Sequence, residues 1–196
     1  MTAVSPSPQI VLASASPRRR ELLQQIGVVF RVVVADITER PLPDEIPGDF
    51  VLRMAREKAL EVLRMEPGRL PVLGADTAVI LEGRILGKPA NRKQAAEMLN
   101  SLSGKTHEVF SAVVVAVSES ETHEALNVSR VTFSELEPDW IESYIETGDP
   151  MDKAGAYGVQ GKAGEKISRI EGSFYGVMGL PLYETAQLLK RAQVLF

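Results

Sequence analysis

The chain contains no cysteine, which removes disulfides, thiolate metal ligands and thiol nucleophiles together. Histidine is nearly as scarce. The two present, His107 and His123, have no second histidine at metal spacing and no serine-nucleophile motif nearby. Zinc hydrolysis and a catalytic triad therefore lack their parts, and structural or surface roles are expected for both. A dominant charge is missing too. A formal net charge of -4 over 196 residues exerts no overall pull towards nucleic acid or an anionic membrane, so any polyanion site must be a local cluster. No apolar run approaches spanning length, and Met1 to Gln9 lacks the basic start and apolar stretch of a secretory signal. The expectation is a cytoplasmic protein with neither nucleic acid nor membrane as partner, residues 1–8 being a frayed tail. The match of Asn127-Val128-Ser129 to a glycosylation site is then chance. The glycines spell neither a Walker A loop nor a dinucleotide fingerprint in the required context, which sets aside the commonest ATPase and dehydrogenase readings.

What is present is ordinary globular material, 44% apolar and 24% charged, enough to bury a real core. No low-complexity linker divides it, so one domain over 1–196 is expected. Gln9 to Ala13 reads as a strand. Ser16 is a good N-cap for a helix with Pro17 first, Leu22, Leu23 and Ile26 inward, and Gly27 closing it. The β-branched run Val28 to Val34 is a second strand. After a loop over 36–49, Val51, Ala55, Ala59 and Val62 mark a helix stopped by Pro67-Gly68, with Lys58 beside its apolar stripe. Leu70 to Leu81 reads as a buried strand broken at Gly74-Ala75-Asp76-Thr77, and Glu82-Gly83 turns it back through Ile85-Leu86. Asn91 caps a helix ending at Gly104; Val109 to Val117 and Leu126 to Phe133 form an antiparallel pair; Pro138 starts a helix with Trp140 and Tyr144 on its core side. A glycine-rich region over 148–179 holds one strand around Ile167 to Ile170, and a last helix runs from Pro181 to Ala192. Interleaved strands and helices without repeats make an α/β fold with a mixed central sheet and flanking helices.

Four places carry chemistry. Ser14-Ala15-Ser16-Pro17-Arg18-Arg19 lies where a strand meets a helix start, whose unpaired N–H groups favour an anion. Position 19 is Arg where a capping box would place Glu, so the helix supplies no anion of its own. From the residues alone this is equally a solvated basic turn. Asp76, amid Val72, Leu73, Val79 and Ile80, has to face a cleft or be paired, because burying a lone carboxylate is costly. At a strand end it suits metal binding or proton transfer from water, and the bland alternative is a turn aspartate bonded to its own backbone. Lys88, between Gly87 and Pro89, is a phosphate clamp or a solvated lysine. Lys58 either snorkels or binds, and Glu39 and Glu57 are acids among many. Asp152 to Gly161 combines small residues with Gln160, which can donate to and accept from a base edge, and is otherwise a mobile loop.

In order, L-A-S-A-S-P-R-R-R-E-L-L, A-R-E-K-A, G-A-D-T, G-K-P, L-S-G-K-T-H and D-K-A-G-A-Y-G-V-Q-G, with G-L-P-L near the end, resemble the Maf family of nucleotide pyrophosphatases, also called septum formation inhibitor proteins. The resemblance runs from Leu12 to Thr185. It implies two lobes around a cleft, a fold similar to inosine triphosphate pyrophosphatases, a homodimer, and hydrolysis of a nucleoside triphosphate between its α and β phosphates with Mg2+ or Mn2+. Asp76 matches the family's catalytic carboxylate and, with Glu39, its metal position. Ser14, Arg18, Arg19, Lys58 and Lys88 match phosphate-side residues, while Arg19, Thr77 and Gln160 match positions tied to the choice of base. G-A-D-T with A-Y-G-V-Q-G resembles the branch acting on dTTP and UTP; the branch acting on 7-methyl-GTP resembles G-S-D-Q. A division regulator that binds nucleotide without turnover is the rival from another class.

Overall fold

The structure is a computed structural model that describes residues 7–66 and 70–196. The frayed tail expected at the N-terminus falls mostly outside these residues, as does the Pro67-Gly68 helix stop. Chain order is β1 (Ile10–Leu12), α1 (Pro17–Gln25), β2 (Phe30–Val32), α2 (Pro47–Met65), β3 (Val72–Leu81), β4 (Arg84–Leu86), α3 (Arg92–Leu102), β5 (Thr106–Ala116), β6 (Thr122–Phe133), α4 (Pro138–Glu146), β7 (Ile167–Glu171), α5 (Phe174–Met178) and α6 (Leu182–Arg191). Among the described residues the strands form one seven-stranded sheet in the order β2-β1-β3-β5-β6-β7, with β4 also paired to β3. β1 is parallel to both β2 and β3, whereas β3–β4 and β6–β7 are antiparallel. The α/β class with a mixed sheet and helices is therefore as the sequence predicts.

Local signals act where they were read. The Ser16 side chain accepts from the Arg19 N–H and Pro17 opens α1. Gly27 takes a φ of 80°, the left-handed turn that closes the helix. Asn91 caps α3 by accepting from the Gln94 N–H at 2.9 Å. β5 and β6 are neighbours joined by a short turn closed by the Val117 N–H on the Glu121 carbonyl, 2.9 Å, a connection only an antiparallel pair permits.

Three expectations change. The strand through Asp76 is not broken: β3 is continuous, and every residue from Val72 to Leu81 except Thr77 is buried. Its polar and small residues pass through because helix packing, not a turn, uses them. α2 starts at Pro47, inside the expected loop, because proline suits a first helical position where no N–H is needed. The glycine-rich region holds 3₁₀ turns at Asp149–Asp152, Ala154–Ala156 and Lys162–Lys166 and the short helix α5, besides the expected β7. Turns so short carry no periodicity for a sequence to display.

The chain divides into two compact units. Unit 1 comprises residues 1–76, 112–126 and 179–196; unit 2 comprises 77–111 and 127–178. In unit 1 the inward stripe of α2 is Val51, Met54, Ala55, Lys58, Ala59 and Val62, so Lys58 lies within the apolar stripe rather than beside it. In unit 2, Leu99, Leu102, Phe133 and Tyr144 centre a core that also takes in Tyr157. Trp140, expected in that core, is half-buried and stacks on Tyr144.

His107 is 2% exposed within unit 2. Its ring stacks on Phe133 and its Nε2 hydrogen-bonds the Tyr157 hydroxyl at 2.6 Å. Nδ1 has no hydrogen-bond partner among the described residues. Burial disfavours the imidazolium and lowers the pKa from 6.5 to about 4, and burial likewise pushes the Tyr157 phenol up, with Tyr144 adding to the rise. The sign follows: the unfolded chain binds a proton near 6.5 that the folded chain refuses until about 4. This contribution is whole above the unfolded value and is lost as pH falls through that window, about 3 kcal/mol in all. Urea unfolding at stepped pH should show His107→Phe less stable at neutral pH but with a shallower acid loss than the parent chain. Equal slopes for the two proteins would remove histidine burial as the cause.

Candidate functional site

In unit 1 the chain leaves β1 with the Ala13 N–H on the Leu73 carbonyl, 2.8 Å, and turns at Ser14 into α1. Ser14 is 7% exposed; its Oγ accepts from the Ser16 N–H at 3.2 Å and from Arg19 Nη1 at 3.1 Å. Arg19 Nε donates to the Gly179 carbonyl at 2.9 Å. The first turn of α1 thus carries Arg18, Arg19 and Arg20 and no acid, an arrangement the helix dipole opposes. What offsets it comes from elsewhere in unit 1. Burial lowers the Arg19 pKa, the Asp76 and Glu39 charges act to raise it, and Arg18 acts to lower it again. Arg19 thus feels two carboxylates far from it in sequence, Asp76 and Glu39.

The two carboxylates meet on Lys58. Its Nζ lies 2.6 Å from Asp76 Oδ1 and 2.9 Å from Glu39 Oε1, and the Lys58 and Asp76 side chains are 10% and 11% exposed. Breaking such a pair by removing one partner leaves an uncompensated charge and is strongly destabilising. The lysine neither snorkels nor sits in solvent, and Asp76 is a paired strand residue, not a turn aspartate. Glu39 approaches from the loop before α2 with its side chain 47% exposed. Glu57, weighed beside it, instead takes Arg53 at 3.0 Å.

Gly74 makes this geometry reachable. A Cβ there would overlap the Ala55 carbonyl oxygen and come within 2.8 Å of the Ala59 nitrogen, so α2 lies backbone-close on β3 two residues before Asp76. Lys58 leaves the helix one residue before Ala59 and is delivered onto the aspartate.

The other three sequence candidates belong to unit 2. Thr77 is half-buried, and its Oγ1 shares a hydrogen bond of 3.0 Å with Ser111 Oγ, a fully buried hydroxyl. Lys88 is exposed in the turn after β4, next to buried Pro89. Gln160 is exposed at the end of the segment that carries the 3₁₀ turns Asp149–Asp152 and Ala154–Ala156. Sequence reading gave Lys153 no role, yet it is 8% exposed and its Nζ donates to Asp149 Oδ1 and Asp152 Oδ1, both at 2.7 Å. Tyr144 Oη donates to Asp149 Oδ2 at 2.8 Å and accepts the Gly158 N–H at 3.2 Å.

No group of three or more His, Asp or Glu side chains able to hold a metal occurs among the described residues. Asp76 and Glu39 nevertheless come together on the Lys58 ammonium, so the two carboxylates are neighbours, and an ion would be held beside that lysine, not in its place. Two carboxylates are what Mg2+ or Mn2+ uses when substrate phosphates and water supply the remaining ligands. The donor set fits such an ion.

With this geometry in place, the chain belongs to the Maf-like protein family, which matches residues 9–192. Among its relatives, a protein of Methylobacillus flagellatus named dTTP/UTP pyrophosphatase is 51% identical, over 95% of this chain and 94% of its own length. Proteins of the same name from Anaeromyxobacter dehalogenans and Salmonella typhimurium are 50% and 48% identical, each over 95% of this chain and 95% and 94% of their own lengths. In fold, the chain is similar to a HAM1 protein from Coxiella burnetii, with a TM-score of 0.51, 17% identity, and coverage of 94% of this chain and 100% of that one.

Gly74→Ala should lower stability by about 1–3 kcal/mol, the usual cost of overpacking, and lengthen the Lys58–Asp76 contact. Chemical denaturation together with a crystal structure of the variant checks both. Wild-type stability with the ion pair retained at 2.6 Å would mean that the helix can yield without cost.

Proposed function

We propose that the chain hydrolyses the pyrimidine nucleoside triphosphates dTTP and UTP, ordinary or modified, to the monophosphate and pyrophosphate, clearing the cytoplasmic nucleotide pool with Mg2+ or Mn2+ as a homodimer. Membership of the Maf family and relatives that carry the name dTTP/UTP pyrophosphatase at about half identity support the reaction. One observation carries the site assignment: Asp76, Glu39, Lys58, Arg19 and Ser14 converge within unit 1. Among the described residues no helix is long and apolar enough to cross a membrane.

Asp76 is assigned the proton from the attacking water. Lys58 engages Oδ1, which leaves Oδ2 as the oxygen that faces both the water and the ion. As the proton leaves, the water oxygen bonds to phosphorus, the α–β bridge breaks and pyrophosphate departs. A divalent ion held by Asp76 and Glu39 would supply Lewis-acid neutralisation of phosphate charge. Arg18, Arg19, Lys58 and Lys88 bind the phosphate oxygens, Arg19 with a fork that suits two oxygens at once. Ser14 orients that fork through its Oγ. Such preorganised charge is the largest usual contribution in phosphoryl transfer, where little covalent chemistry is asked of the protein. Thr77 and Gln160, with Arg19, are assigned to base selection; Ser111 fixes where the Thr77 hydroxyl points.

Asp76→Asn should cut dTTP turnover by about a hundredfold or more, as loss of a general base does. Pyrophosphate release, with Mg2+ or Mn2+ present and after chelation, measures it across ordinary and methylated triphosphates. Tight nucleotide binding without release in the parent protein would favour a sensor over an enzyme, and preference for 7-methyl-GTP would overturn the choice of base.

A further inference from the structure

The loop that carries Glu39 has almost nothing apolar to hold it. Residues 38–44 are all exposed; of the large apolar side chains in the loop, Ile37 is half-buried, and Leu42 and Ile46 are 55% and 61% exposed. Hydrophobic burial therefore does little to fix where Glu39 sits, one half-buried isoleucine apart, and an unfastened loop keeps its conformational entropy.

A polar clamp is present instead, and its centre is Arg53 on α2. Nε and Nη2 bind Glu45 Oε1 and Oε2 at 2.6 and 2.7 Å, a two-point carboxylate contact. Nη2 also donates at 3.0 Å to the carbonyl of Arg40, the residue after Glu39. Nη1 takes Glu57 at 3.0 Å, which braces the guanidinium against its own helix, and the group lies over the Phe50 ring at 5.7 Å. Glu45 Oε2 in turn accepts the Leu42 N–H at 2.9 Å. The Glu45 side chain is only 9% exposed and that of Arg53 21%, although the loop around them is open. Arg53 holds the Glu45 carboxyl down to about 2, so the clamp stays charged throughout the neutral and mildly acid range.

We infer that Arg53 is a positioning residue: through Glu45 and the Arg40 carbonyl it fastens the 36–46 loop to α2, and so sets Glu39 against Lys58 and Asp76, which come from the same helix and from β3. This rests on the proposed role of Glu39 in triphosphate hydrolysis. Lysine cannot replace Arg53, because an ammonium cannot span two carboxylate oxygens, a carbonyl and a second carboxylate in one plane.

A double-mutant cycle on the full chain tests it. Arg53→Met and Glu39→Gln are each expected to lower dTTP turnover by about ten- to a hundredfold, the range for losing a supporting partner of a site, and the double variant to fall no further than Glu39→Gln alone. Arg53→Lys should not rescue. Arg56→Met, which breaks an exposed pair with Glu124, should turn over as the parent does. Hydrogen exchange in Arg53→Met should quicken over 36–46 and remain unchanged in the middle of α2. Multiplicative losses with Glu39→Gln impaired would overturn the inference alone, as would faster exchange throughout α2 or parental turnover in Arg53→Met. Parental turnover in Glu39→Gln would overturn the role of Glu39 itself, and with it this inference.

Discussion

A lysine in the middle of an apolar helix stripe is the constraint from which the site in unit 1 is built. Lys58 shares its face of α2 with Val51, Met54, Ala55, Ala59 and Val62, where an ammonium alone would be prohibitively costly. It is tolerated because Asp76 and Glu39 meet it. Those contacts place demands on their neighbours. Helix and strand must touch backbone to backbone, so position 74 has no side chain. The open loop must keep Glu39 in place, so Arg53 and Glu45 fasten it. A buried charge thus dictates a glycine and a clamp, neither of which pairs with the Lys58 ammonium itself.

The same opposition of charge explains how a chain with a net charge of -4 can handle a polyanion. Arginine is concentrated in the first turn of α1, where the helix end is already positive. The two carboxylates moderate that field at Arg19. Positive and negative groups are interleaved within a few residues' reach, so neither sign dominates and neither is idle. On the proposed function, such a field would hold phosphate without making the whole surface basic.

Much of this was legible in the chain itself, and the failures have physical causes. Caps at Ser16 and Asn91, the closing Gly27 and the β-branched runs announce themselves because each acts within a few residues. Lys58 was misplaced relative to its stripe because a hydrophobic pattern counts a lysine as surface, whatever its angular position. Gly74 looked like a break because a glycine needed for close approach and one needed for a bend are the same letter. Arg53 and Lys153 left no signal: their partners are set by tertiary contacts, and acids in loops are common. In the region 148–179 the turns are too short for any period, so only the strand over 167–171 could be read. Arg19 was singled out at the start of α1, but its dependence on Asp76 and Glu39 belongs to the fold.

β3 has its register fixed at both ends, by Val72 and Leu73 against β1 and by Val79 to Leu81 against β4. Between those ends stand Asp76 and Thr77, consecutive residues whose side chains leave opposite faces of the strand. One belongs to unit 1 and the other to unit 2. If the first breaks the bond and the second helps choose the base, no insertion or deletion between the two pinned ends can alter one and spare the other, because a slip of one residue turns both faces over together. The chemistry and its selectivity are then inherited as a dipeptide. The part of selectivity that rests on this strand can drift by changing the letter at 77 or the hydroxyl of Ser111 that aims it, but not by sliding the strand.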